Sequence, residues 1–346
     1  MRTGITRRDF VRGVAYGGVG AAIGLASTSC RAGEAPAPLS KAPTAQPARK
    51  ATRARVVLVR RASALDDQGR ADAKAVREML DEAMAKLDGD DGSIAKGWSS
   101  RFAAEDKVGI KGTMMMNHVH PEILVAIHDS LVEHAGLGTA AVLAWDRNRG
   151  ARSREQLGGP DTQWVADPLF TCGADSISKV CSEWATALVN VPTLKCHWLS
   201  GVAISLKNWC GAVANIAVND HAGTTWQFHG DSCADLGVFE SMPVFGGKRR
   251  LVVVDAMEPY FEKGPQVDPE FFHPYGGLIV GTDPVAVDTV GMMLLQAIRD
   301  QKAGAPSPIN PPPKHVGIAE TKYNLGVSDP ARIDIVKLGD TEGMLV

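Results

Sequence analysis

Short apolar runs rich in β-branched residues alternate in this chain with segments whose apolar residues have helical spacing. Residues 55–60 and 108–116 are typical of buried strands, whereas residues 72–87 place apolar side chains on one face of a helix. The alternation continues with predicted strands at 140–145, 187–194, 250–256, 277–281 and 333–338 and predicted helices at 122–135 and 284–302. Because strands separated by helices form βαβ units, we predict an α/β fold with a mostly parallel or mixed sheet and helices on both faces.

The composition is that of a globular protein with a sizeable core. Of the 346 residues, 45% are hydrophobic and 22% are charged, which excludes a disordered chain. The first 50 residues hold eight basic and two acidic residues, so the remainder carries 29 basic and 37 acidic residues. This acidic body argues against nucleic acid as a partner.

The N-terminus has the pattern of an export signal. Residues 6–12 (TRRDFVR) contain the pair Arg7-Arg8, and the stretch that follows, 14–28, is apolar and rich in Gly and Ala. The pattern resembles a twin-arginine signal, and five glycines between residues 13 and 24 disfavour a stable membrane span. We therefore predict a signal peptide over 1–30, the twin-arginine translocase as a partner during export, and a location in the periplasm or at the outer face of the cell envelope.

The end of this signal has two readings. Residues 27–30 (STSC) resemble a lipoprotein signal in which Cys30 is acylated, although that motif usually has an aliphatic residue where Ser27 stands. Lipidation would anchor the protein to the membrane, whereas simple cleavage would release it. Residues 31–53 are rich in Ala, Pro and Lys and are predicted to form a solvated tether before a single α/β domain over 54–346.

The cysteines restrict the possible cofactors. There are six in the sequence, and cleavage at or beyond Cys30 leaves five in the body, so at most two internal disulfides can form. Cys172 and Cys181 are the best candidate pair, on proximity alone. No Cys-x-x-Cys pair occurs, which disfavours an iron–sulfur cluster or a zinc ribbon.

Polar residues follow several of the predicted strands. Ligands of open α/β sheets bind beyond the carboxyl ends of the strands, where these residues should lie. They are Asn117, His118, Asp146, Lys195, His197, Asp255 and Asp283. The alternative is that polar residues follow strands in any α/β protein.

The densest polar stretch covers residues 190–211. Lys195 and His197 close a strand that should be buried, and Lys207 and Asn208 end a second apolar run. Lysines in such positions either extend to solvent and pair separately, or bind an anionic ligand. Lys111 lies within the strand 108–116 and needs an anionic partner if it is buried.

The stretch 281–288 (GTDPVAVD) supplies two carboxylates. Asp283 stands at a helix N-cap with Pro284 at the first helical position, which gives it a structural role beside its candidate role in substrate binding. Asp288 lies among apolar residues, so its charge must be paired with Lys195, Lys207 or a metal ion. We predict that Lys195, His197, Lys207, Asn208 and Asp288 converge on one cleft, with Lys111 or Asn117 close by.

Two further groups are candidates for a divalent metal ion. His221, His229 and Asp231 have suitable donor atoms, but their spacing matches no defined metal motif. His118 and His120 would share a metal only if the chain turns between them.

Several motifs resemble a known family. Residues 107–117 (KVGIKGTMMMN), 188–211 (LVNVPTLKCHWLSGVAISLKNWCG) and 276–288 (GGLIVGTDPVAVD) stand in the order found in the family called domain of unknown function 362, and the resemblance covers most of 55–340. Some members of that family are fused to ferredoxin modules, whose cysteines this chain lacks, and export-signal members are a known subtype. A more distant resemblance, to the nickel-pincer lactate racemases, rests on the ten-residue spacing of His197 and Lys207.

These observations lead to one functional hypothesis and two alternatives. The hypothesis is an enzyme for a small anionic substrate, with Lys111, Lys195 and Lys207 binding the anion and His197 as general acid or base. In this hypothesis Asp288 orients a lysine or ligates a metal, and Asn117, Asn208 and Asp283 contact the substrate. The alternatives are a non-catalytic metal- or anion-binding protein of the cell envelope and a redox accessory protein.

Overall fold

The computed structural model describes residues 52–89, 92–114, 116–147, 150–152, 164–166, 176–213 and 231–346. The signal peptide, Cys30, most of the tether, Cys172, His221 and His229 lie outside the described residues. Cys181, Cys196, Cys210 and Cys233 are free thiols.

Within these residues the chain forms twelve strands and seven α-helices, together with short 3₁₀ and π turns. The strands are β1 (Ala54–Arg60), β2 (Val108–Gly112), β3 (Val142–Asp146), β4 (Gly150–Arg152), β5 (Trp164–Ala166), β6 (Ser176–Ser178), β7 (Ala187–Val191), β8 (Thr193–His197), β9 (Gly201–Ala203), β10 (Arg249–Tyr260), β11 (Gly277–Gly281) and β12 (Ile333–Gly339). The helices are α1 (Ala73–Lys86), α2 (Ile94–Ser99), α3 (Pro121–Ala135), α4 (Ser205–Asn208), α5 (Gly237–Ser241), α6 (Pro284–Ala303) and α7 (Lys314–Thr321).

Ten of the strands form one mixed sheet, and β5 pairs with β6 in a separate two-stranded sheet. The main order is β12-β1-β11-β10-β7-β2-β3-β4, with β8 and β9 attached through β10. The pairs β1–β12, β2–β3, β2–β7, β7–β10 and β8–β10 are parallel, and the pairs β1–β11, β10–β11, β3–β4 and β8–β9 are antiparallel. The predicted α/β fold with a mixed sheet is therefore confirmed.

Helices cover both faces of this sheet, because successive side chains of a strand point to opposite faces and both sets are apolar. In β1, Val57 and Val59 join the core that contains α1 and α3, whereas Val56 and Leu58 join the core that contains α6. Pro121 begins α3, and Gly136 ends it in the left-handed conformation at φ 74°. No helix of the described residues is long and apolar enough to span a bilayer.

The segment predicted as one strand over 187–194 is two strands. Pro192 separates β7 from β8, since proline donates no ladder hydrogen bond. The long strand β10 pairs with β7 near Leu188 and with β8 at Thr193, so β8 extends the sheet beyond the end of β7. This extension places Lys195 and His197, near the end of β8, beyond the end of β7.

Candidate functional site

The carboxyl ends of β2 and β3 meet in a buried ion pair. Lys111 Nζ lies 2.8 Å from Asp146 Oδ1, and both side chains are almost fully buried. Asp146 also accepts the backbone N–H groups of Met114 (2.7 Å) and Arg147 (2.7 Å). The anionic partner that the sequence required for Lys111 is therefore Asp146.

Asn208, at the end of α4, joins this pair to the sheet. Its Oδ1 accepts hydrogen bonds from Lys111 Nζ (3.0 Å) and Thr113 Oγ1 (3.1 Å). Its Nδ2 donates to Lys111 O (3.1 Å) and to Asn190 Oδ1 (2.7 Å). Because both ends of the amide are used within the protein, Asn208 positions Lys111 and has no hydrogen bond left for the predicted contact with substrate.

Lys195 lies next to this pair on β8. Strand alternation places Thr193, Lys195 and His197 on one face, while Leu194 and Cys196 pack into the core beside α6. Lys195 is only 7% exposed, and its ammonium has no hydrogen-bond or ion-pair partner among the described residues. The pKa of Lys195 is lowered to about 8. Burial is the largest cause and the charges of Lys111 and Lys207 add to it, whereas the charges of Asp146 and Asp255 oppose the shift.

Lys207 is also buried, on the short helix α4. Its Nζ lies 3.7 Å from the thiol of Cys233, and burial raises the pKa of that thiol. His315 of α7 lies within the electrostatic reach of Lys207; burial, aided by the lysine charge, lowers the pKa of this imidazole to about 3. Lys111, Lys195 and Lys207 are therefore all buried, and Lys195 lies within the electrostatic reach of the other two.

The imidazole of His197 accepts a hydrogen bond from the backbone two residues further along the chain. Its Nδ1 accepts the backbone N–H of Leu199 at 3.1 Å, which places the ring proton on Nε2. The ring is almost fully buried.

Asp288 accepts hydrogen bonds at the start of α4. Its Oδ1 accepts the backbone N–H (2.8 Å) and the hydroxyl (2.5 Å) of Ser205, and its Oδ2 accepts the backbone N–H of Leu206 (3.1 Å). Burial raises the pKa of Asp288 to about 7. These orphan N–H groups satisfy the carboxylate, and the predicted pairing with Lys195 or Lys207 stays a prediction. Asp288 thus positions the helix that carries Lys207.

We expect Asp288→Ala to lower the free energy of unfolding by about 2 to 3 kcal/mol, because it leaves buried donors of Ser205 and Leu206 unpaired. Asp288→Asn should cost less, since its amide oxygen still accepts the two Ser205 hydrogen bonds. Urea unfolding at pH 7 measures both. Equal losses would indicate that the charge of Asp288 matters more than its hydrogen bonds, as a lysine partner would require.

The other predicted carboxylates lie apart from the lysines or have structural roles. Asp283 caps α6, where its Oδ1 accepts the N–H groups of Val285 and Ala286. Asp231 is exposed and forms an ion pair with Lys314 at 2.8 Å. Within the described residues no three His, Cys, Asp or Glu side chains are grouped as metal ligands. The predicted partners of Asp231 in a metal site, His221 and His229, fall outside those residues.

A cavity of about 240 Å³ opens beside this lysine region. Its lining is Met116, Asn117, His118, His120, Thr193, Asp255, Glu258, Val267 and Phe272. Thr193 and Asp255 are paired residues of β8 and β10, so the cavity lies where β8 extends the sheet. Lys195 follows Thr193 by two residues on the same face of β8.

Three titratable side chains form a chain of contacts in the cavity wall. His120 Nδ1 lies 2.8 Å from Asp255 Oδ2, and its Nε2 lies 3.2 Å from Gly69 O and 3.8 Å from Glu258 Oε2. Burial lowers the pKa of His120, but the charge of Asp255 and the hydrogen bonds to Asp255 and Gly69 outweigh this effect and raise the pKa to about 9. Burial raises the pKa of Glu258, against the opposing charge of His120. At neutral pH the wall therefore presents a protonated imidazole beside a carboxylate.

Two polar atoms of the cavity wall have no hydrogen-bond partner in the described part of the chain. They are Asn117 Nδ2 and Thr193 Oγ1, and both are buried. A buried unpaired donor costs about 1 to 3 kcal/mol, so such groups are rare unless a ligand or water satisfies them. Both atoms can donate, which suits the oxygen atoms of a ligand.

Sequence reasoning missed Thr193 and Glu258 and gave His120 a metal-binding role. Thr193 had a usable signal, because it precedes Lys195 by two residues in a predicted strand. His120 and Asp255 are far apart in sequence, and no local pattern indicates that they meet.

The fold and the site define an α/β protein with a polar cavity at the carboxyl ends of parallel strands in a mixed sheet. Residues 170–293 match a family model described as Domain of unknown function (DUF362). The match contains Lys195, Lys207, Asp255 and Asp288, and it supports the predicted family resemblance over this segment. No curated protein and no solved structure matches the chain.

Proposed function

We propose that this protein is an enzyme that binds a small anionic substrate in the cavity and transfers protons to and from it. The observation that carries the proposal is the pair of donors without a hydrogen-bond partner among the described residues, Asn117 Nδ2 and Thr193 Oγ1, with the buried Lys195 two residues after Thr193 on the same face of β8. A carboxylate or phosphate would satisfy all three groups at once.

The charge of the region favours an anion. Lys195 is the cation of this region without an ion-pair partner among the described residues, whereas Lys111 is paired with Asp146 and His120 with Asp255. The surplus positive charge lies in a buried region, where the attraction between charges is less screened than in water.

His120 and Glu258 supply an acid and a base. Asp255 keeps His120 protonated at neutral pH, so this imidazole can donate a proton. Glu258 lies beside it in the same wall and can accept one. Two titratable groups whose environments differ in this way are the usual arrangement for proton transfer, and His120 takes the role that the sequence assigned to His197.

The test combines binding with proton exchange. Acetate, other small carboxylates and inorganic phosphate are titrated by calorimetry, and hydrogen exchange at the carbon next to each carboxylate is followed by NMR in D₂O. We expect Glu258→Gln to retain binding within about threefold and to lose exchange by about 10²-fold or more, the usual contribution of a general base. The control variant is Lys337→Met, on the exposed side of β12.

The outcomes separate the classes of function. Binding without exchange in the wild-type protein would favour the non-catalytic anion-binding alternative. No binding of any carboxylate or of phosphate would contradict the proposal.

We also propose that the protein is exported through the twin-arginine translocase to the periplasm or the outer face of the cell envelope. The support is the Arg7-Arg8 motif with its apolar stretch. Replacing both arginines with lysine should leave the precursor in the cytoplasm, since the receptor recognises the guanidinium pair. Fractionation and immunoblotting measure this, and an unchanged exported yield would contradict it.

After export, the N-terminus of the mature protein would be either acylated at Cys30 or simply cleaved. Acylation of Cys30 would give a membrane-anchored protein, and Cys30→Ala would then release it. The proposed proton transfer uses neither a nickel-pincer cofactor nor a divalent metal. The spacing of His197 and Lys207 suggested the first, and His221, His229 and Asp231 suggested the second, but the proposed step depends on His120 and Glu258.

A further inference from the structure

Two of the three exposed large apolar side chains of the described residues line this cavity. Met116 is 49% exposed and Val267 is 46% exposed, and both line the cavity. The third, Trp198, is 40% exposed and its backbone N–H donates to Gly264 O at 3.0 Å, three residues before Val267. Met116 and Val267 are thus exposed at the cavity whose wall contains Asn117 Nδ2 and Thr193 Oγ1.

Val267 is held at this rim by a buried tyrosine. The hydroxyl of Tyr260 donates to Gln266 O at 2.7 Å and accepts the N–H of Asp268 at 3.0 Å, so it fixes the chain on both sides of Val267. Tyr260 itself is the partner of Lys195 in the sheet. The exposed valine therefore has a fixed position relative to the lysine.

The other apolar lining residues are also constrained. The ring of Phe272 packs edge-on against Tyr260, with centroids 5.1 Å apart. Met116 adopts φ 59°, a left-handed conformation that residues with a side chain rarely take and that is often found at functional sites. The cavity thus has a polar inner wall and a fixed apolar rim.

We propose that the substrate is an organic anion that carries an apolar group, with its anionic end at Asn117, Thr193 and Lys195 and its apolar group against Met116, Val267 and Phe272. This inference rests on the proposed function and narrows its substrate class. The cavity volume of about 240 Å³ lies below the usual range for drug-sized ligands, so the apolar group extends onto the rim.

The test is a chain-length series at constant ionic strength. Acetate, butanoate, hexanoate and octanoate are titrated by calorimetry, with inorganic phosphate and hexyl phosphate as a second pair. Each buried methylene contributes about 0.8 kcal/mol, or roughly fourfold in affinity, so hexanoate should bind at least about tenfold more tightly than acetate. Hexan-1-ol, which lacks the anion, should bind more weakly than hexanoate.

Variants test whether the apolar group of the ligand binds at the apolar rim of the cavity. Val267→Asn should remove most of the gain in affinity with chain length, whereas Ala305→Asn at an exposed loop should leave that gain at its wild-type value. If acetate or phosphate binds but affinity does not rise with chain length, the inference is wrong and the proposed function stands. If no anion in either series binds, both are wrong.

Discussion

Lys195→Met is expected to weaken anion binding and at the same time stabilise the protein. Affinity for acetate and phosphate should fall by about 10- to 100-fold, the value of a hydrogen bond to a charged group. The free energy of unfolding at pH 7 should rise by about 3 kcal/mol, since methionine removes a buried ammonium whose charged form the surroundings disfavour. A group that destabilises the fold but is needed for binding belongs to a functional site.

The gain in stability should depend on pH. Below pH 8 the ammonium of Lys195 is charged in both the native and the unfolded state, so its burial cost is fully present. Between pH 8 and 10.5 the native state releases its proton first, and the stability of the wild-type protein rises with pH relative to the variant. Urea unfolding of both proteins from pH 6 to 10.5 measures this difference, and other titrating groups cancel in it.

The control is Lys337→Met, which should change neither binding nor stability by more than about 0.5 kcal/mol. If Lys195→Met instead destabilised the protein and left anion binding unchanged, Lys195 would have a structural role only.

Asp146→Asn should cost about 3 to 5 kcal/mol in the free energy of unfolding. It removes the negative charge that compensates the buried Lys111, and that also raises the pKa of Lys195. Adding Lys111→Met to Asp146→Asn should restore part of the stability, because the uncompensated charge at Lys111 is gone. Urea unfolding of the two single variants and the double variant gives the coupling energy.

The same substitution has an electrostatic readout. Without Asp146, the pKa of Lys195 should fall below 8, so the rise of stability with pH should begin at a lower pH. Lys74→Met, which breaks an exposed ion pair with Glu78, serves as the control and should cost less than about 1 kcal/mol. A loss of less than about 1 kcal/mol in Asp146→Asn, or additive losses in the double variant, would contradict the assigned role of the buried pair.

The sequence by itself determined the elements of the fold and part of the site. Apolar runs rich in β-branched residues identified β1 and β11, and period-3.6 spacing identified α1 and α6, to within about two residues at each end, because burial leaves a local signature. Asp283 and Pro284 marked the start of α6, since helix caps are read from neighbouring residues. The same local patterns put Lys195 and Lys207 near the ends of two apolar runs.

Only the tertiary structure decided which of these side chains meet. Lys111 pairs with Asp146 because β2 and β3 are neighbours, and His120 pairs with Asp255 across 135 residues of sequence. Asp288 satisfies backbone N–H groups of α4, a helix far from it in sequence. Periodicity shows which face of a strand is buried, but the order of strands in the sheet follows from packing between distant segments, so partners of buried charges cannot be derived from local patterns.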